Sequence, residues 1–139
     1  MTPTIPPVKR VMTPFPFAIE AGRSLAEARA MMDEHAIHHL PVTEGGALHG
    51  ILSDRELRVA RRSRATEAGV TVGEVCRLEP LVVDLNAGLD DVVSTMAARY
   101  VSAALVTREG KLCGILTTTD VCRLLAELLR AGAPPDVVA

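Results

Sequence analysis

Aromatic side chains are almost missing from this 139-residue chain, which has two phenylalanines, one tyrosine and no tryptophan. Its interior must therefore be aliphatic, drawn from the 48% of residues that are hydrophobic. So few rings also argue against a platform on which single-stranded nucleic acid would stack. Cysteine is scarce: Cys76, Cys113 and Cys122 are odd in number and form no CxxC pair, which argues against a disulfide framework or a four-cysteine zinc site. The reading is of reduced thiols in a cytoplasmic protein. Neither sign of charge dominates, with 15 basic against 17 acidic residues and a net charge of −2, so nothing draws the whole molecule toward DNA or an anionic membrane. No apolar run approaches the length of a transmembrane helix. The Pro-rich stretch from Met1 to Pro7 lacks the charged and apolar blocks of a secretory signal. Catalytic motifs are missing too: there is no G-x-S-x-G elbow, no P-loop and no HExxH. No enzyme is expected, and no residue is assigned a catalytic role.

What the chain does have is an internal repeat. Pro16-Phe17-Ala18-Ile19 resembles Pro80-Leu81-Val82-Val83, an offset of 64 residues. The same offset carries Leu25 to Leu89, Met32 to Met96, Val42-Thr43 to Val106-Thr107, and Gly46 to Gly110. It also carries Gly50-Ile51-Leu52 to Gly114-Ile115-Leu116, and Val8 and Val11 to Val72 and Val75. The identities fall on apolar and glycine positions without a gap, which is what duplication of a folded unit produces.

Each unit reads locally as β-α-β-β-α. Residues 17–19 form an apolar strand. Ser24-Leu25-Ala26-Glu27 is a capping box, opening a helix to about Glu34 with Leu25, Ala28, Met31 and Met32 as its stripe. Strands at 39–42 and 48–52 flank a Glu44-Gly45-Gly46 turn, and Ser53 caps a helix from Asp54 to about Arg62. The second unit repeats the order: strand 81–83, helix 89–98, strands 103–106 and 112–116 around a turn at 108–110, and helix 118–130. The organisation is then an N-terminal tail at 1–7, a first repeat at 8–63, a linker at 64–73, a second repeat at 74–131 and a C-terminal tail at 132–139. Pro134 and Pro135 mark the end of the ordered part. One such unit cannot bury both faces of its sheet, so the class is α/β (α+β), with two repeats packed as a pseudo-two-fold pair around a cleft.

Several elements together resemble the cystathionine-β-synthase (CBS) domain pair over residues 8–130. Val11-Met12-Thr13-Pro14 is similar to the family's lead-in segment, and Ile37-His38-His39-Leu40-Pro41-Val42 to its strand before the hairpin. Gly50-Ile51-Leu52-Ser53-Asp54-Arg55-Glu56 and Gly114-Ile115-Leu116-Thr117-Thr118-Thr119-Asp120 are similar to its G-h-x-[ST]-x-x-D signature. The resemblance implies a regulatory pair that dimerises and holds AMP, ADP, ATP or S-adenosylmethionine in its cleft. Carried over by position, Thr117 would meet a phosphate and Asp120 the ribose hydroxyls. Leu81, Val82 and the backbone of Ser102, Ala103 and Ala104 would line the adenine pocket. In the first repeat Ser53 matches, but Glu56 stands where the family has Asp. Ala18, Ile19, His38, His39 and Leu40 would line that half, and Arg55 could reach a polyphosphate.

The chemistry fits without the family. A helix N-terminus favours phosphate, a cap hydroxyl adds a directed donor, and a carboxylate one turn in can accept from two ribose hydroxyls. The competing explanation is helix punctuation, since Ser53-x-x-Glu56 is itself a capping box. Glu suits the back-reaching bond better than the shorter Asp, so capping is assigned to Ser53 and Glu56, and ligand binding to Thr117 and Asp120. His35, His38 and His39 cluster, but no Cys or carboxylate at ligand spacing completes a metal site, and none is expected. Arg55, Arg58, Arg61, Arg62 and Arg64 form the one basic run, read as a solvated helix face, and nucleic acid is disfavoured as a partner. Met31, Met32 and Met96 are core or dimer-face residues, helices 25–34 and 89–98 are the candidate homodimer interface, and Cys122 is expected to be packed. The sequence thus points to a sensor of an adenine nucleotide or adenosyl ligand that acts on an unidentified regulated protein. The alternative is a ligand-free dimerisation and protein-interaction scaffold.

Overall fold

The structure is a computed structural model and describes residues 4–63 and 69–132. The expected tails and linker therefore lie in part outside the described residues, as do Arg64 and the Pro134-Pro135 stop. The fold is mixed α/β, with a four-stranded and a three-stranded sheet and helices on both. The chain divides into two compact units: Phe15–Pro80 with Gly110–Leu112, and the described residues up to Pro14 with Leu81–Glu109 and those from Cys113 on.

The secondary structure follows the repeat. A 3-10 turn at Val8–Arg10 and a short strand β1 (Thr13–Pro14) precede β2 (Ile19–Glu20), α1 (Leu25–His35), β3 (His39–Glu44), β4 (Ala47–Ser53) and α2 (Asp54–Arg62). Then come α3 (Val72–Val75), β5 (Leu81–Asp84), α4 (Leu89–Arg99), β6 (Ala103–Arg108), β7 (Lys111–Thr117) and α5 (Thr118–Arg130). Both hairpins close on two consecutive positive-φ residues, Gly45 (60°) and Gly46 (84°), and Glu109 (51°) and Gly110 (80°), the pattern that matches strand twist in a tight turn. Helices α1 and α4 both stop at a left-handed residue, Ala36 (φ 52°) and Tyr100 (φ 53°), neither of them a glycine.

In the first-repeat unit the sheet order is β2-β3-β4, with β2 parallel and β4 antiparallel to β3, and Ile19 opposite Val42 and Leu40 opposite Leu52. Strand alternation sends Ile19, Leu40, Val42 and Leu52 to one face. There they meet Leu25, Ala28 and Met32 of α1 and Leu57 and Ala60 of α2. In the second-repeat unit the order is β1-β7-β6-β5, and Leu81, Ala104, Val106 and Leu116 meet Leu89, Val92 and Met96 of α4.

The lead-in segment of each repeat fills the core of the other. Val8, placed in the first repeat by sequence, is fully buried in the second repeat's core, and its N–H donates to the Ala87 carbonyl (2.8 Å). Conversely Val72 and Cys76 belong to the first repeat's core. Thr71–Gly73, expected in the linker, instead cap and open α3, with the Thr71 N–H donating to the Glu74 carboxylate (2.9 Å) and the Val72 N–H to the Arg23 carbonyl (2.9 Å). The physical reason is the same in both units. A stretch of three or four residues with one or two apolar side chains has no stripe of its own, so it fills whichever core its backbone hydrogen bonds bring it to.

The signature glycines owe their place to this arrangement. Ile51 and Arg77 exchange backbone hydrogen bonds (3.0 and 2.9 Å), and a Cβ on Gly50 would collide with the Arg77 carbonyl oxygen. A Cβ on Gly114 would instead meet the Met12 sulfur.

Candidate functional site

The start of α5 carries the residues of greatest interest. Thr117 is the N-cap, in extended backbone (φ −109°, ψ 164°). Its hydroxyl accepts from the Asp120 N–H (3.3 Å), and its own N–H donates to Asp120 Oδ2 (2.8 Å). The Thr117 hydroxyl also donates to Oδ2 (3.0 Å). Asp120 Oδ1 faces Arg123 Nη1 at 3.7 Å, and the Asp120 side chain is 17% exposed, covered on one side but open to solvent. The next N–H, that of Thr118, donates to the Ser102 carbonyl (2.9 Å), which fixes the Ser102 backbone against the helix start.

The start of α2 is built the same way. Ser53 has the same backbone angles as Thr117, its N–H donates to Glu56 Oε2 (3.1 Å), and the Asp54 N–H donates to the His38 carbonyl (2.9 Å). The expectation that the shorter Asp120 would make the back-reaching bond less well than Glu56 is corrected by this geometry. Asp120 makes the back-reaching bond at 2.8 Å, shorter than that of Glu56, because at N3 the carboxylate lies directly under the N-cap N–H and needs little reach. Both repeats therefore present a satisfied cap, and what separates them is the first helical residue, Asp54 in α2 against Thr118 in α5. Asp54 is bound by Arg29 of α1, approached by Arg58 (3.6 Å), and its carboxyl is held below the usual carboxylate range chiefly by the Arg29 hydrogen bond. No sequence signal links Arg29 to Asp54; only the packing of α1 on α2 does.

The remaining expected lining residues sort by strand alternation. Leu81, Ile19, Leu40 and Ala104 have their side chains in the hydrophobic cores, which leaves their backbone as the part that could meet a ligand, as expected for Ala104. Val82, 44% exposed, stands on the opposite face of β5. Ser102 is exposed and Ala103 buried, while His38 and Arg55 are exposed and His39 and Ala18 half-buried. Ala18 and Ile19 border a shallow groove of about 370 Å³ with Glu20, Arg23, Glu27 and Met31, where Arg23 and Glu27 pair at 3.2 Å.

Among the described residues no group of three His, Cys, Asp or Glu could hold a metal ion. His35 stacks on Phe17 instead, with ring centroids 3.7 Å apart, and His49 Nδ1 approaches Glu44 (3.2 Å). Cys122, expected to be packed, is exposed on α5, because that helix turns only Val121 and Leu124 toward its core. Cys76 is buried, and burial pushes its thiol pKa up. Among the described residues no helix is long and apolar enough to cross a membrane.

Comparison with known proteins agrees with this geometry. The chain is 32% identical to hypoxic response protein 1 of Mycobacterium tuberculosis over 106 residues, covering 75% of this chain and 74% of that one. It is 26% identical to the CBS domain-containing protein YhcV of Bacillus subtilis over 82% of this chain and 81% of the relative. Among solved structures, CBSX2 in complex with AMP superposes with a TM-score of 0.78 at 26% identity, covering 90% of this chain and 99% of that one. The CBS domain model matches residues 8–63 and again residues 72–127, so the chain, with two β-α-β-β-α units and a capped signature helix in each, belongs to the CBS domain family.

Proposed function

We propose that the chain is a regulatory module, not a catalyst, that takes an adenine nucleotide or related adenosyl ligand at the start of α5. The observation that carries this reading is the hydroxyl–carboxylate pair of Thr117 and Asp120, with Oδ2 held by Thr117, Oδ1 3.7 Å from Arg123 on a partly exposed side chain, and the Ser102 backbone pinned beside it. A ribose diol can donate to Asp120 Oδ1. The Thr117 hydroxyl can rotate from Oδ2 toward a phosphate, in the field of the thirteen-residue helix α5. Support comes from CBSX2, which carries AMP on the same fold. Val82 and the backbone of Ser102–Ala104 would face the base. The α2 start fits a phosphate less well, because Asp54 and Glu56 both place carboxylates in its first turn. The module would signal by preferring one of two conformations when loaded, since a ligand shifts an equilibrium only by its differential affinity for the two states. A homodimer and a cytoplasmic site of action complete the reading.

The second reading is a ligand-free scaffold. The observation in its favour is that Thr117 and Asp120 already satisfy one another. Calorimetric titration of the purified chain with AMP, ATP and S-adenosylmethionine separates the two. Saturable heat with at least one supports the sensor, and no heat with any of them leaves only the scaffold.

A further inference from the structure

Helix α2 holds a row of positive charge that its own acidic residues offset only in part. Arg55, Arg58 and Arg62 lie at i, i+3 and i+7, hence on one face, about 4.5 and 6 Å apart along the axis. All three are exposed, and Arg61 flanks them. The helix has two acidic residues of its own, Asp54 and Glu56, and of these Asp54 meets the row at Arg58. Glu56 is folded back onto the Ser53 N–H, and Asp54 is shared between Arg29 at Oδ1 and Arg58 at Oδ2 (3.6 Å). Complementing the helix dipole accounts for Arg62 in the last turn but not for Arg55, which sits in the first turn, where a cation is unfavourable. The repeat does not explain it either: the matching residues of α5 are Thr119, Cys122 and Ala126.

We propose that this face docks an acidic segment of a partner protein, whose Glu or Asp side chains recur at helical spacing. Arginine, not lysine, fills every position of the row, which suits paired hydrogen bonds to planar carboxylates. Val59, 58% exposed beside the row, offers a peptide an apolar contact that a phosphate backbone would not use. Asp33, 72% exposed, shares Arg29 with Asp54 and so stands near the first turn of α2. A broad polyanion such as duplex DNA would meet that carboxylate, whereas a narrow peptide can pass beside it.

The test is fluorescence polarisation with the full chain. The probes are a labelled helical peptide with Glu at i, i+3 and i+7, its Gln twin, a labelled DNA duplex, and vesicles of phosphatidylcholine with phosphatidylserine. The expected result is binding of the Glu peptide about tenfold tighter than of the Gln twin. That preference should vanish in R55Q/R58Q/R62Q and persist in R108Q. Gln keeps the helix and leaves Leu57 and Ala60 untouched, and an unchanged thermal midpoint verifies folding. Equal affinity for the two peptides, retention of the preference in the triple variant, or tighter binding of the duplex or the vesicles would overturn the proposal.

Discussion

Gly50→Ala and Gly114→Ala change the same position of the two repeats by the same methyl group, and the structure assigns them different costs. At Gly50 the new Cβ runs into the Arg77 carbonyl oxygen, with the Cys76 sulfur 3.0 Å away. That oxygen accepts the Ile51 N–H and cannot move without breaking the paired backbone bonds of 3.0 and 2.9 Å. Losing them costs about 1 kcal/mol each. Overpacking adds about 1–3 kcal/mol, offset by about 0.5 kcal/mol from the stiffer unfolded chain. The sum is about 2.5–4.5 kcal/mol. At Gly114 the obstacle is the Met12 thioether, a half-buried side chain with three rotatable bonds that can swing aside, for about 1 kcal/mol. Urea denaturation followed by circular dichroism measures both. Equal losses, or a larger loss for Gly114→Ala, would refute the distinction between a backbone and a side-chain obstacle.

Tyr100→Gly and Glu109→Gly, which relieve positive φ at exposed residues, should each stabilise the chain by about 0.5–1 kcal/mol in the same assay. Arg29→Ala should destabilise by about 1–2 kcal/mol, between the values for exposed and buried pairs, because it strands the partly buried Asp54 carboxylate. Asp54 is depressed in the folded state, so the pair's contribution is present above the ordinary carboxylate pKa and lost as pH falls through the lower folded value. The gap between wild type and Arg29→Ala should therefore narrow at strongly acidic pH, and a gap that widens there would count against the pair. Exposed Cys122 should react with Ellman's reagent in the native chain well before Cys76, whose thiol is buried and raised in pKa.

The sequence made the elements legible because the hydrophobic period and the 64-residue offset read the same units twice. Each helix and hairpin strand longer than four residues lies within two residues of its expected bounds. Features set by distant partners were not legible. Val8 and Val72 carry no sign of which core they fill, and nothing local pairs Arg29 with Asp54. Left-handed Tyr100 was invisible because the usual glycine marker is missing there, although its counterpart Ala36 adopts the same angle. At β5 three consecutive apolar residues, Leu81 to Val83, hide which of them faces inward. At the site itself, residue types located both signature helices. They could not show that Asp120 bonds back to Thr117, because that depends on N-cap dihedrals identical to those at Ser53.

The central claim is that Asp120 grips a ribose and does more than cap α5, and the affinity of Asp120→Asn for AMP tests it most directly. Asparagine keeps an oxygen for the Thr117 N–H, so the helix start survives, while the charge that strengthens hydrogen bonds from a diol is gone. The account predicts saturable binding of AMP to the wild-type chain and a loss of about tenfold or more in the variant, with the thermal midpoint of the free protein little changed. AMP binding of equal strength in the two proteins, or none in the wild type, would contradict it.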